Sequence, residues 1–276
     1  MGLRPWDKRD GTMFTPLIIA LLVFTVIVAG AFVGAMVRRR VPEHNLTEET
    51  KSLVSVSMAV VATISALVLG LLLSNANSSF NAVQGQVTTL SAEILRLDQL
   101  LLRYGPDTKL AREKLREYAE RKRDDLFPAD PADVQLGDQS TYVLLQEVED
   151  LVLAVKPENA RDQWWLTQAM TLASKIGDTR FLLAQQTGQG TPKAVLFLLV
   201  FWLTVLFASF TLFAPPNVTS NVTLTLCAVA IAGAIGMILE LERGFGGLVH
   251  VSPQPMNHVV AFLRAESTNE AAGSHT

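Results

Sequence analysis

Between Ser52 and Ala92 the chain carries no Asp, Glu, Lys, Arg or His, and within that stretch Ser55, Ala59, Thr63, Ala66, Gly70, Ser74 and Asn77 recur at three- or four-residue intervals. That spacing puts them on one side of an α-helix. All are small or polar, while Leu, Val, Ile and Met fill the other sides. Two kinds of chemistry suit such a strip. Small side chains let another helix come close in lipid, where packing and interhelical hydrogen bonds drive association. The hydroxyls and amide of Ser55, Thr63, Ser74 and Asn77 can also replace part of an ion's water shell along a conduction path. Both hold together if several copies gather this helix around one axis.

Two further groups could take part. Glu240, Glu242 and Arg243 follow the last apolar run. Charges there ordinarily mark the headgroup boundary, but a ring of Glu240 from several copies would form a vestibule that attracts cations. Downstream of the strip, Phe80, Val83, Val87, Leu90, Ile94, Leu97, Leu101 and Tyr104 alternate three and four apart. This heptad pattern predicts packing against other helices in water, and it reads as a seam holding copies together. Nothing in the chain suggests an enzyme. His44, His250, His258 and His275 are scattered, and no H-E-x-x-H, P-loop or G-x-S-x-G pattern occurs. The single cysteine, Cys227, excludes an internal disulfide and a cysteine-based metal site. No metal or cofactor is expected. A net charge of −3, with no basic block beyond Arg38-Arg39-Arg40, argues against nucleic acid as a partner.

The elements that must carry these residues are mostly apolar. Of 276 residues 49% are hydrophobic and 18% charged, against about 25% charged in a soluble domain. A polar leader, 1–12, precedes the 25-residue apolar run from Met13 to Val37. That run exceeds the roughly 7–15 residues of a signal-peptide core, so it reads as a first membrane span, 13–37. Its Gly30 and Gly34 form a G-x-x-x-G pair for close helix approach. A short loop, 38–51, leads to the second span, 52–74, which continues as a helix to residue 104 and stops at Gly105-Pro106. At about 1.5 Å per residue that helix is roughly 80 Å long, well over the roughly 30 Å of hydrocarbon core.

Residues 75–192 read as a helical bundle outside the membrane. A charged helix from Asp107 to Asp124 shows Leu110, Leu115 and Tyr118 on its apolar side. The pairs Lys109/Glu113, Arg116/Glu120 and Glu117/Arg121 suit a solvated face. Ser140 to Val155 buries Leu144, Val148, Leu151 and Val155. Glu158 to Thr187 turns Trp165, Ala169, Leu172, Ile176 and Leu183 inward. From Ala194 to Leu239 no charge appears over 46 residues, enough for spans at 193–214 and 219–239 divided by Ala214-Pro215-Pro216-Asn217. The third span, rich in Phe, is expected to face lipid, and the fourth, rich in Ala and Gly, to pack inside. The tail, 240–276, is rich in Gly, Pro and polar residues and is read as partly disordered.

Several stretches resemble a family of bestrophin-like bacterial membrane proteins. They are VATISALVLGLLLSNANSSF at 61–80, LLLRYGPDT ending at 108, FWLTVLFASFTLFAP at 201–215 and AGAIGMILELERGFGGLVHVSPQP at 232–255. With the spacing between them they cover most of residues 42–262. The resemblance to bestrophins proper is more distant. It implies an oligomeric ion channel, a pentamer being one form, with four spans per subunit, cytosolic termini and a pore lined by the second span. The bulky hydrophobic neck that bestrophins place on that span has no counterpart on the Ser, Ala, Thr and Gly face here.

The fold class expected is therefore an all-α integral membrane protein: four transmembrane helices with a helical bundle inserted between spans 2 and 3. Near the span ends, Arg4, Lys8, Arg9, Arg180, Lys193 and Arg243 on the bundle side outnumber Arg38, Arg39, Arg40 and Lys51 opposite. By the positive-inside rule the bundle and both termini then face the cytoplasm of a bacterial inner membrane. Expected partners are membrane lipid, further copies of the chain and inorganic ions. The function expected is a channel with the second span around its pore. The alternative is a non-conducting oligomeric scaffold, or a sensor acting through a partner.

Overall fold

A run of 57 residues without proline, opened by Glu48 and Glu49 and closed by Arg103, has what a long helix needs. Acidic groups at its start and a base in its last turn complement the helix dipole. The computed structural model describes residues 15–40, 48–130, 133–186, 191–213 and 217–273. Among them that run is one α-helix. The α-helices are α1 (Thr15–Arg38), α2 (Glu48–Tyr104), α3 (Lys109–Leu126), α4 (Gln139–Ala154), α5 (Ala160–Gln186), α6 (Lys193–Phe213), α7 (Val218–Arg243) and α8 (Gln254–Gly273), with a 3-10 turn at Pro106–Thr108. No strand occurs among the described residues. The leader 1–12, residues 41–47 of the first loop, Thr187 to Gly190 and the Ala214-Pro215-Pro216 turn lie outside them.

The chain divides into two units. The first comprises residues 1–79 and 190–243, the second 80–189 and 244–276. Helices α1, α2, α6 and α7 are long and apolar enough to cross a membrane. In the first unit α1 packs against α6 and α7. Gly30 and Gly34 make that approach possible. A Cβ at Gly30 would sit 3.0 Å from the Thr204 carbonyl oxygen, and one at Gly34 would run into the Ala208 carbonyl and the Thr211 hydroxyl. Thr211 Oγ1 donates across the contact to Ala31 O at 2.8 Å. On the other side, a Cβ at Gly236 would lie 3.1 Å from Ala20 Cβ. On α6, Phe197, Phe201 and Phe210 are exposed in a single copy, while Phe207 is buried with Leu199, Leu203 and Leu206. On α7, Ala228 and Ala232 point inward, but Ala230 and Gly233 lie on the exposed side.

In the second unit the end of α2 meets α3, α4, α5 and α8 around one apolar core. The turn from α2 into α3 depends on Gly105, whose φ of 127° is strained for any residue with a Cβ. Thr108 Oγ1 lies 2.5 Å from Leu101 O and 2.9 Å from Gly105 O, so carbonyls at the end of α2 gain a hydrogen-bonding partner. The buried strip of α4 is Thr141, Leu145, Val148 and Val152, with Leu144, Leu151 and Val155 at its margin. On α5 it is Leu166, Ala169, Ala173, Ile176 and Leu183, with Leu172 at the margin.

The expected disordered tail is corrected here. Residues 254–273 are helical, and Met256, Val259, Val260 and Leu263 enter the core. Those four share one helix face, and the hydrophobic gain from burying them outweighs the polar composition around them. The Gly244–Val251 segment leads into this helix. It is held by Val251 N donating to Gly244 O and Ser252 N donating to Gln84 Oε1, each at 2.8 Å.

Candidate functional site

The apolar part of α2 is divided lengthwise into three sectors. Val54, Met58, Val61, Ser65, Val68, Leu72 and Ala76 turn toward the rest of the chain and are buried or half-buried. Leu53, Val56, Val60, Ile64, Leu67 and Leu71 form an exposed apolar sector. Ser55, Ala59, Thr63, Ala66, Gly70, Ser74 and Asn77 form the third, and every one of them is exposed. A Cβ at Gly70 would meet nothing within 4 Å. Of the four apolar helices α2 is the least covered by its own chain. In its most apolar stretch 11% of residues are buried, against 22% in each of the others. Thr63 Oγ1 donates to Ala59 O at 2.8 Å, so its hydrogen is used within the helix while the oxygen can still accept.

Ser55 has a second setting. With Lys51, Met58, Ser209, Phe210 and Thr223 it lines a crevice of about 440 Å3 between the starts of α2 and α7 and the end of α6. Ser65 was not singled out by the sequence pattern, because it sits outside the small-residue strip. It is buried in the inward sector, and its hydroxyl has no hydrogen-bonding partner.

Glu242 of the suggested vestibule is engaged within the first unit. It accepts from Thr191 N at 2.8 Å and from the Thr191 hydroxyl. Glu240 and Arg243 at the same helix end also have partners within the chain. The strip expected as a seam is buried within one copy. Val83, Val87, Leu90, Ile94, Leu97 and Leu101 are between 0% and 6% exposed in a single copy, with Phe80 half-buried against them. The heptad spacing describes a real helix-packing strip, but its partners are α3, α4, α5 and α8 of the same chain.

The bundle also holds a polar cluster absent from the sequence reading. Lys122 is buried, and its Nζ donates to Leu136 O at 3.0 Å. Burial pushes its ammonium pKa down to about 8, against the pull of Asp125. Burial likewise raises the Asp125 carboxyl and the Tyr118 phenol. The Tyr118 hydroxyl and two nitrogens of Arg180, Nε and Nη1, have no hydrogen-bonding partner. The Arg180 guanidinium lies 4.9 Å from the Tyr142 ring centre, a cation–π distance. Thr179 Oγ1 donates to Glu93 at 2.9 Å. The ion pairs on α3 also differ from the i,i+4 set. Lys114 meets Glu117 and Glu147, each at 3.0 Å, and Glu120 meets Arg264 at 2.6 Å.

The family model of the Bestrophin-like domain matches residues 25–256. That range takes in the whole of α2, all four apolar helices apart from the start of α1, and the bundle through the first residues of α8. No curated protein and no solved structure matches the chain significantly.

Proposed function

Since this chain belongs to the bestrophin-like family, we propose that it is a homo-oligomeric ion channel whose subunits gather the small-residue sector of α2 around a central path. One observation carries the reading. The sector made of small, hydroxyl and amide residues is exposed along its whole length in a single copy, although those side chains are suited to close helix contact or to ions rather than to lipid tails. The apolar sector beside it is suited to acyl chains. A pentamer is one form of that assembly, and contacts between copies run through the spans. Inorganic ions are the cargo, the bacterial inner membrane is the site, and the bundle with both termini faces the cytoplasm. Glu240 and Glu242 then stand where a permeating ion enters or leaves the span.

The test is reconstitution of the purified protein in planar bilayers, after its size in detergent has been measured. Wild type conducts, and Thr63→Leu, which fills the path with an isobutyl group, lowers unitary conductance by tenfold or more while leaving oligomer size unchanged. A monomer in detergent, or an oligomer that stays silent at every ion and voltage tried, would replace this reading with the non-conducting scaffold or sensor.

A further inference from the structure

A second cleft lies in the bundle, away from the small-residue sector. It has a volume of about 200 Å3 and is lined by Asp98 of α2, Lys109, Arg112, Glu113 and Arg116 of α3, and Leu263 and Ser267 of α8. Its floor is a fixed ion pair. Arg112 Nε donates to Asp98 Oδ1 at 2.9 Å and Nη2 to Oδ2 at 3.4 Å, with Asp98 at 2% exposure. Arg112 Nη2 also lies 3.4 Å from Glu266. Burial, followed by the neighbouring Asp98 carboxylate, raises the Glu266 pKa. The Arg112 charge is therefore spoken for. Lys109 and Arg116 are different. They sit on the same side of α3, seven residues apart, and neither pairs with a carboxylate among the described residues.

We infer that this cleft binds a phosphate group, held by Lys109 and Arg116 over the Asp98–Arg112 pair, with the Ser267 hydroxyl at its rim. Lys109 and Arg116, near the start of a helix, oppose its dipole, and Glu113 in the same wall offsets only one of the two charges. Such an arrangement is relieved when an anion sits among them. Arg and Lys together suit phosphate, whose several oxygens accept a guanidinium fork and a point charge at once. The volume sets the ligand class. It admits an inorganic phosphate or a monoester head, and lies below the roughly 300–1,000 Å3 of sites for drug-sized molecules. Because α2, α3 and α8 each contribute to the wall, an occupied cleft ties the C-terminal helix to the other two. The inference does not depend on whether α2 conducts.

The experiment measures thermal unfolding of the full-length protein in a neutral detergent, with sodium phosphate against sodium chloride at matched ionic strength. A second arm compares nanodiscs containing phosphatidic acid with nanodiscs of phosphatidylcholine alone. Expected is a saturable rise in melting temperature in at least one arm. Lys109→Ser with Arg116→Ser should abolish that rise or move its midpoint at least tenfold, while Arg96→Ser, an exposed cation of α2 outside the cleft, should leave it in place. A response to free phosphate identifies a soluble ligand, and a response to phosphatidic acid alone identifies a lipid head. Equal melting in phosphate and chloride together with equal melting in both nanodiscs would overturn the inference. So would a double variant that responds as wild type does. If the serine pair lowers the unliganded melting temperature, Lys109→Gln with Arg116→Gln repeats the comparison.

Discussion

Helix α2 passes through both units, and its two parts meet opposite fates. From Val83 to Leu101 its apolar strip disappears into a core supplied by four other helices of the same chain. From Ser55 to Asn77 every residue of its small-residue sector stays exposed, and a Cβ at Gly70 would meet nothing within 4 Å. One part is satisfied within a single copy and the other is not. A periodic strip in the sequence thus reports that a helix packs, without saying whether the partner belongs to the same molecule. The exposed small-residue surface is where the proposed assembly would form.

Substitutions in the two parts should therefore behave differently. The largest effect belongs to the bundle. Leu97→Ala removes a fully buried side chain and should cost about 2–5 kcal/mol of unfolding free energy, whereas Leu67→Ala on the exposed apolar sector should stay within about 0.5 kcal/mol. Denaturant or thermal unfolding of both variants makes the comparison, and equal losses would mean that the span is more tightly held than a single copy indicates.

Next comes the buried Lys122. Its folded pKa of about 8 lies below the ordinary 10.5, so in between the unfolded chain binds more protons. Stability then rises with pH across that interval, by up to ~3 kcal/mol. Lys122→Met should flatten this rise, seen as the difference between the two pH profiles. A parallel pair of profiles would place the ammonium in contact with water.

The smallest effect on the protomer, and the most informative about assembly, comes from Gly70→Leu. With nothing within 4 Å of the new Cβ, unfolding should change by no more than about 1 kcal/mol. Oligomer size in detergent should fall, or current should be lost. If size and conductance both persist, this face meets lipid and the comparison fails at its membrane end.

Much of the molecule was legible before any coordinates. The four apolar helices, the unbroken α2, the Gly30 and Gly34 contact and the turn at Gly105-Pro106 follow from hydropathy, spacing and backbone chemistry. What failed did so for identifiable reasons. On α4 the expected strip was displaced by about one residue, because Val143 to Leu145 and Leu151 to Leu153 are apolar on adjacent sides and periodicity alone cannot choose between them. Helix α8 was obscured by its polar residues, although Met256, Val259, Val260 and Leu263 have the spacing of one face. Burial of Lys122 is not a property of sequence at all. Among many charges on α3, only the fold decides that Lys122 and Asp125 lose their water.

The core of the second unit draws on residues before 190 and after 243, on either side of α6 and α7. During synthesis, Val87, Leu90, Ile94 and their neighbours leave the ribosome well before Met256 and Val259 can cover them. Completion of the bundle therefore waits on insertion of the last two spans, and a defect in that insertion would surface as an exposed, aggregation-prone bundle rather than as a fault in the membrane.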